Sequence, residues 1–312
     1  MNRAARAWLL PAALVLAALP LAHAARIYRW VDRQGVVHYG DSAPAANAAL
    51  GGDARVRVIP VRAEPGAMVA LRLERDGNDT LAWADNRLAG PVQVRLSFTR
   101  SSNVLGSPLL PARATVDPLG SALVSRIGAA DASRAGEFEL RLDAVPGSPN
   151  ARPVDFEYAY PLQGGDLQVA QGFGGAWSHQ DEQNHYAVDF VAPIGTPVLA
   201  ARDGTVMQVE SDFDKAGLNA EKYGGRANYV RIVHDDGTMA LYAHLREGGV
   251  LVRVGQRVAK GQRIGLSGNT GFTSGPHLHF AVQANRDMRL VSLPFRMFGP
   301  RGILRFTDAS AR

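Results

Sequence analysis

The sequence predicts a mostly β protein, in which a small β-sandwich precedes a C-terminal antiparallel sheet domain with a groove. Several segments alternate apolar and polar residues, as a half-buried strand does, for example Val92-Gln93-Val94-Arg95-Leu96. The 33 glycines and 18 prolines among 312 residues supply the turns that separate these segments. Helical periodicity is almost absent after residue 160. These observations together predict short strands joined by tight turns.

The first 24 residues have the pattern of a secretory signal peptide. Arg3 and Arg6 precede an apolar run over residues 7–21, and a small-x-small site ends at Ala24. The alternative is an uncleaved membrane anchor, which the short run and its two prolines disfavour. The chain has no cysteine, which excludes a lipid-anchored lipoprotein and disulfides. We expect cleavage after Ala24, export to the periplasm or medium of a Gram-negative bacterium, and no stable membrane span afterwards.

The charge of the chain is mildly basic, with a formal net charge of +5. Loss of Arg3 and Arg6 would leave about +3, which suits weak attraction to an anionic envelope polymer. No basic run with interleaved aromatic residues is present, so nucleic acid is not an expected partner.

The region before residue 150 divides into three parts. Residues 25–45 contain two short β runs around a turn at Gly35, which predict a small β-hairpin module. This stretch resembles an N-terminal module of unknown function found in proteobacterial envelope proteins. Residues 46–54 are rich in Ala and Gly and read as a linker. Residues 55–150 are assigned to the β-sandwich because of four alternating runs, at 56–59, 69–73, 92–96 and 138–142.

Residues 160–298 form the predicted C-terminal domain, followed by a tail at 299–312. Strand patterns and glycine turns alternate through it, which favours an antiparallel sheet with loops around a groove. The segment 211–226 is long, charged and rich in glycine. Long loops in compact domains tend to be functional, so we expect this one to form a wall of the groove.

Histidines and one aspartate carry the chemistry of this domain. His277 and His279 alternate on a predicted strand, so both imidazoles face the same side. Burying two titratable rings unpaired is costly, and a metal explains them. Upstream lie His185-x-x-x-Asp189 and the strand-end residue His244. Imidazole and carboxylate are zinc ligands, so the set as a whole predicts a zinc hydrolase.

The segment 186–282 resembles the lysostaphin-type (LytM-like) zinc endopeptidases of bacterial cell walls. It shares with them Tyr242-Ala243-His244-Leu245, Gly268-Asn269-Thr270-Gly271 and Ser274-Gly275-Pro276-His277-Leu278-His279-Phe280. The resemblance implies a peptidase domain that cleaves peptide cross-links of peptidoglycan. It also implies one Zn²⁺ ion on His185, Asp189 and His279, with His244 and His277 as catalytic residues.

One departure from the family pattern leaves the first ligand open. Ala187 stands where the family usually has glycine, two residues before Asp189. The segment around Ser178-His179 resembles a subset of the family in which an upstream histidine supplies the ligand. His179 is therefore a rival to His185, and the residue that is not a ligand would support a ligand or face the substrate.

These observations lead to a leading function and two alternatives. The leading hypothesis is an exported zinc metalloendopeptidase that hydrolyses peptidoglycan cross-links. A second is a non-catalytic envelope regulator that activates a cell-wall amidase; such relatives generally lose ligand or catalytic residues, and this chain has them all. A third is a peptidase for other proteins, such as glycine-rich chains. Which peptide bond is cleaved does not follow from the sequence.

Overall fold

The computed structural model describes residues 26–31, 37–40, 57–60, 67–164, 167–299, 302–304 and 306, so the predicted signal peptide lies outside the described residues. The chain divides into two compact units, Met1–Glu64 and Pro65–Arg312. The first contains one antiparallel sheet in the order β2-β1-β3, with strands β1 (Arg26–Val31), β2 (Val37–Gly40) and β3 (Arg57–Pro60). β3 falls in the range predicted for the sandwich, but it pairs with β1 and so extends the hairpin to three strands.

The second unit begins with a sandwich of two antiparallel sheets. Its strands are β4 (Val69–Asp76), β5 (Asp79–Asn86), β6 (Val92–Ser102), β7 (Val104–Ser107), β8 (Ala112–Val116), β9 (Ser121–Ala129) and β10 (Glu137–Pro146). One sheet has the order β4-β5-β9-β7 and the other β10-β6-β8. Val92, Val94 and Leu96 of β6 are fully buried, which is the alternation that the sequence predicts.

The rest of this unit is built almost entirely of strands. They are β11 (Glu157–Ala159), β12 (Val169–Gln171), β13 (Val188–Val191), β14 (Pro197–Leu199), β15 (Gly204–Glu210), β16 (Ala216–Gly217), β17 (Asn228–Val233), β18 (Met239–Val250), β19 (Arg257–Val258), β20 (Arg263–Ser267), β21 (Gly271–Phe272), β22 (His277–Asn285), β23 (Leu290–Ser292), β24 (Arg296–Gly299) and β25 (Gly302–Leu304). One short helix, α1 (Ala220–Tyr223), follows β16. No helix in the described ranges is long and apolar enough to cross a membrane.

A ten-stranded sheet dominates this region. Its main path runs β12-β13-β22-β18-β17-β15-β19, and β14, β20 and β23 attach to it. β11 pairs in parallel with β24, which in turn pairs with β25, and β16 pairs in parallel with β21. The predicted fold class, mostly β with a sandwich before an antiparallel sheet domain, is confirmed.

The two faces of the ten-stranded sheet have different surroundings. Ile232, Tyr242 and Phe280 are fully buried in the main apolar cluster, and the Tyr242 hydroxyl accepts a hydrogen bond from Ala201 N at 2.7 Å. Because side chains alternate along a strand, the residues between these point to the opposite face. That face carries Tyr229, Arg231, Leu241, Ala243 and His279, which line a cleft.

The sandwich packs onto this same sheet. Met207 and Met239 are fully buried in the apolar cluster of the sandwich. A Cβ at Gly90 would lie 2.7 Å from the Met207 side chain, so only glycine permits this close approach. Ala89 N donates to Met207 O at 3.1 Å, and Asn285 Nδ2 donates to Gly147 O at 2.9 Å. Apolar and polar contacts therefore both join the sandwich to the sheet that carries the cleft.

Candidate active site

A cleft of 1080 Å³ lies on the open face of the ten-stranded sheet. Trp177 and Phe272 stand at its rim with their rings stacked, 5.8 Å between centroids and 16° between planes. Residues 223–226, at the end of the loop expected to form a wall, also line it. The floor contains Asp189 and three histidines, His244, His277 and His279.

Three buried side chains meet at one point of this cleft, namely His179, Asp189 and His279. One ligand atom from each lies within 4.8 Å of the other two. Asp189 on β13 is the direct antiparallel partner of His279 on β22, so both side chains share a face. Asp189 Oδ1 lies 2.9 Å from His279 Nδ1 and 3.3 Å from His179 Nε2. The arrangement has the size and the donor types of a metal site.

The hydrogen bonds of His179 test whether a cation fits there. Nδ1 lies 2.8 Å from Gly172 O, and a carbonyl only accepts, so Nδ1 carries the hydrogen. Nε2 is buried without a hydrogen-bond partner and faces the Asp189 carboxylate. In the neutral ring, two electron-rich atoms would thus face each other, which only a proton or a cation can compensate. Two imidazoles and a carboxylate suit zinc.

The charge state of the cluster follows from this proximity. Burial would raise the pKa of Asp189, but the His179 and His279 rings beside its carboxylate outweigh it and hold that pKa well below its usual range. Burial would lower the pKa of His179, but the Asp189 carboxylate outweighs it and raises that pKa. Asp189 therefore stays ionised, and its buried negative charge is stabilised by a positive charge beside it.

Gln171 holds the second oxygen of the Asp189 carboxylate, a role that no sequence pattern indicates. Its Nε2 donates to Asp189 Oδ2 at 3.3 Å and to Ser178 Oγ at 2.8 Å. Its Oε1 accepts from Trp177 N at 3.1 Å, which fixes the orientation of the amide. A Cβ at Gly175 would lie 2.1 Å from Gln171 Cγ, so this packing requires glycine. Such outer contacts orient a metal ligand.

His185, predicted as the first ligand, lies outside the cluster. Its side chain is exposed, and its ring packs edge-on against Tyr186 at 4.6 Å between centroids. Backbone bonds from His185 N to Asp181 O and from Ala187 N to Asn184 O form a turn before β13, and this turn directs His185 outward. The rival His179 occupies the place beside Asp189 instead. His185 is therefore not among the grouped side chains that could hold a metal.

His244 reaches the cleft through a bulge in β18. Asn228 pairs with Leu245 and Tyr229 with Ala243, so His244 is an extra residue between two pairs. Its φ of 62° is uncommon for a residue with a side chain. In a regular strand His244 would face away from its neighbour Ala243. The bulge turns it toward His277 and His279, with ring centroids 4.6 and 5.8 Å away.

His244 and His277 are both held in one tautomer. His244 Nδ1 lies 2.7 Å from Thr270 O, and His277 Nδ1 lies 2.8 Å from Gly275 O. Both Nδ1 atoms therefore carry hydrogen, which leaves each Nε2 available as a proton acceptor. His277 Nε2 lies 3.7 Å from Asp189 Oδ1, beside the cluster. Burial, together with the neighbouring histidines, lowers the pKa of His244 to about 3, so this ring is neutral.

Two segments of the chain match known families. Residues 183–289 match peptidase family M23, which confirms the family that the sequence resembles. Residues 14–68 match a domain of unknown function, DUF4124. His179 lies four residues before the M23 match, so that match does not include it.

Each of the curated relatives resembles about a third of the chain. Peptidoglycan DD-endopeptidase ShyA of Vibrio cholerae is 46% identical over 98 residues, 31% of this chain and 20% of ShyA. Glycyl-glycine endopeptidase ALE-1 of Staphylococcus capitis is 43% identical over 103 residues, 33% of this chain and 25% of ALE-1. A solved zinc-containing peptidase from Vibrio cholerae is 20% identical, with a TM-score of 0.33, over 71% of this chain and 83% of that chain. The chain thus spans a quarter or less of the length of the two relatives.

Proposed function

Because this chain carries a domain of peptidase family M23, we propose that it is an exported zinc metalloendopeptidase that hydrolyses peptide cross-links of peptidoglycan. The names of ShyA and ALE-1 support an endopeptidase, and the name of ShyA supports peptidoglycan as its substrate. The observation that carries the proposal is the buried His179 Nε2 facing Asp189, beside three further imidazoles in one cleft.

We assign one Zn²⁺ ion to His179, Asp189 and His279. When bound, zinc polarises the scissile carbonyl and lowers the pKa of an attacking water towards about 7. Asp189 stays ionised because its hydrogen bonds hold its pKa low, and Gln171 keeps its carboxylate from rotating. His185 has no part in this set.

His244 and His277 carry the protons of the reaction. Their Nδ1–H groups are tied to backbone carbonyls, so each Nε2 is the atom that takes a proton from water or returns one to the leaving amine. A ring that has gained a proton stabilises the developing oxyanion.

The alternative of a non-catalytic regulator that activates an amidase requires no such arrangement. A binding surface has no need for the left-handed backbone that brings His244 beside His277. Strain of this kind persists where function needs it. The geometry therefore favours an enzyme.

Digestion of purified peptidoglycan tests this function. The zinc-loaded chain from residue 25 onward should convert cross-linked muropeptide dimers to monomers, and mass spectrometry of the products identifies the cleaved bond. The His277→Ala variant, loaded with zinc, is the matched control and should release none. Intact dimers after incubation with the wild-type protein would reject the endopeptidase. Release of intact stem peptides by an added amidase that is faster with the chain than without it, while dimers stay intact, would instead support the regulator.

A further inference from the structure

A second charged group lies buried in the same cleft, away from the histidines. Arg231 on β17 is only 8% exposed. Its Nη1 donates to Gln283 Oε1 at 2.7 Å, and its Nε is buried without a partner. Among the described residues, no carboxylate forms an ion pair with it. Arg231 is thus a buried cation whose one hydrogen-bond partner among the described residues is a neutral amide.

A buried guanidinium in this state is unfavourable unless a bound group supplies a negative charge beside it. A guanidinium remains protonated in proteins, and burying it without an anion is costly. Gln283 does not remove the charge, but it does orient the group. Its Nε2 donates to Gln183 O at 2.9 Å, so its Oε1 is turned toward Arg231. The amide therefore presents the remaining guanidinium donors in a defined direction.

The sheet register places Arg231 relative to the metal cluster. Tyr229, Ala243 and His279 form one row across β17, β18 and β22, and Arg231 and Leu241 belong to the next row. The rows are roughly 7 Å apart, and two strand spacings add roughly 10 Å sideways. The Cα atoms of Arg231 and His279 are then about 12 Å apart, the reach of three to four extended residues.

The sandwich closes the cleft beyond Arg231. The following row contains Val233 and Met239, and both pack in the apolar cluster of the sandwich. Met68 and Pro146, at either end of the sandwich strands, line the cleft here. The cleft thus runs from the histidines to a blocked end, with a buried cation just before it.

We propose that Arg231, oriented by Gln283, binds a carboxylate of the substrate peptide at the blocked end of the cleft. A guanidinium fork matches a carboxylate with two parallel hydrogen bonds, which a carboxamide cannot reproduce. The carboxylate is either the C-terminus of the peptide or an acidic group along it. This inference rests on the proposed function, because it assumes that a peptide lies in the cleft.

Three synthetic peptides separate these sources. The first is the Gram-negative stem tetrapeptide L-Ala-γ-D-Glu-meso-diaminopimelate-D-Ala, the second its C-terminal amide, and in the third the carboxylates along the peptide, on Glu and diaminopimelate, are amidated. Titration calorimetry with the zinc-loaded wild-type chain should show Kd at least tenfold higher for one of the two amides. The amide that binds weakly identifies the carboxylate. Equal Kd values, or no binding of any peptide, would overturn the inference.

Arg231→Gln should bind all three peptides alike. Arg253→Gln makes the same charge change at an exposed site outside the cleft and should keep the wild-type preference. If Arg231→Gln does not fold, Gln283→Glu is the second variant, since it keeps Arg231 but supplies an internal carboxylate. It too should bind the three peptides alike. A preference retained in either folded variant would contradict the proposal.

Two results distinguish this inference from the proposed function. Cleavage of cross-linked dimers without any carboxylate preference would reject the role of Arg231 and keep the endopeptidase. A carboxylate preference that depends on Arg231, without cleavage of dimers, would keep the binding site and reject the endopeptidase.

Discussion

Replacing His179 by alanine should remove zinc from the protein, whereas replacing His185 should not. His179 is fully buried, with Nε2 3.3 Å from Asp189 Oδ1, and His185 is exposed on the turn before β13. Both residues are histidines within ten residues of Asp189. The two variants therefore test whether the first zinc ligand is the residue that the fold places beside Asp189 or the residue that the His-x-x-x-Asp spacing predicts.

The size of the effect follows from the number of ligands. Four-ligand structural zinc sites bind with apparent free energies of about 10–16 kcal/mol, or roughly 2.5–4 kcal/mol for each ligand. Loss of the His179 ligand should weaken zinc binding about 10²–10³-fold at this energy. His185→Ala should leave the zinc Kd within about threefold of the wild-type value, which is the scale of a surface substitution.

Competition with a zinc-binding chromophore at fixed pH measures both affinities. Folding of each variant is checked by thermal unfolding of the zinc-free protein, so that a lost site is not confused with a lost fold. Wild-type affinity in His179→Ala, or loss of zinc in His185→Ala, would refute the assignment of the first ligand.

Three further predictions concern catalysis, the support of the cluster, and pH. His244→Ala should retain one zinc yet lower kcat by about 10²–10⁴-fold, because the ring transfers protons without holding the metal. Gln171→Ala should weaken zinc binding about 10–100-fold, because the Asp189 carboxylate then rotates freely. Burial lowers the pKa of His234 to about 4, against about 6.5 in the unfolded chain, so the folded state binds fewer protons. The contribution of His234 to the unfolding free energy should therefore fall by about 3 kcal/mol as pH drops from about 6.5 to about 4.

Each of these predictions has a direct control. Normal turnover by zinc-loaded His244→Ala would contradict its role. Gln180→Ala removes an exposed glutamine that bonds only Ala176 O, and it should keep wild-type zinc affinity. An equal loss of zinc affinity in Gln180→Ala would show that the effect of Gln171→Ala does not depend on the contact with Asp189. For pH, denaturant unfolding of His234→Asn should show a shallower pH dependence than the wild type, and an unchanged slope would exclude His234 as its source.

The strands of this fold are predictable from the sequence because alternation reports directly on burial. Val92, Val94 and Leu96 are all buried on one side of β6. Alternation does not show which neighbouring strand a segment pairs with, or which apolar core it packs against. β3 has the same pattern as the sandwich strands, yet it pairs with β1, because pairing depends on the path of the chain between them.

The same limit explains which site residues the sequence predicts. His277 and His279 lie two residues apart on a strand, so their shared face follows from the period of a strand. His179 reaches the cluster through a loop held by hydrogen bonds to Gly172 O and Gly175 O. The spacing of residues along the chain does not predict the conformation of this loop. The bulge that turns His244 inward leaves no sequence signal either.

Arg231 illustrates a limit of a different kind. Its strand alternates in the ordinary way, and the pattern would place this arginine on a solvated face. That face instead lines a cleft, in which the Arg231 side chain is buried and donates to Gln283 on β22. Burial in a cleft is a property of the assembled unit, which local patterns do not contain.

Zinc titration tests the central claim most directly. The chain is stripped of metal with a chelator, zinc is added back in steps, and conversion of cross-linked muropeptide dimers is followed by mass spectrometry. The rate should be negligible without zinc, rise in proportion to added zinc, and level off at one ion per chain. Full activity in the metal-free protein, or a zinc-loaded wild-type protein that leaves every dimer intact, would contradict it.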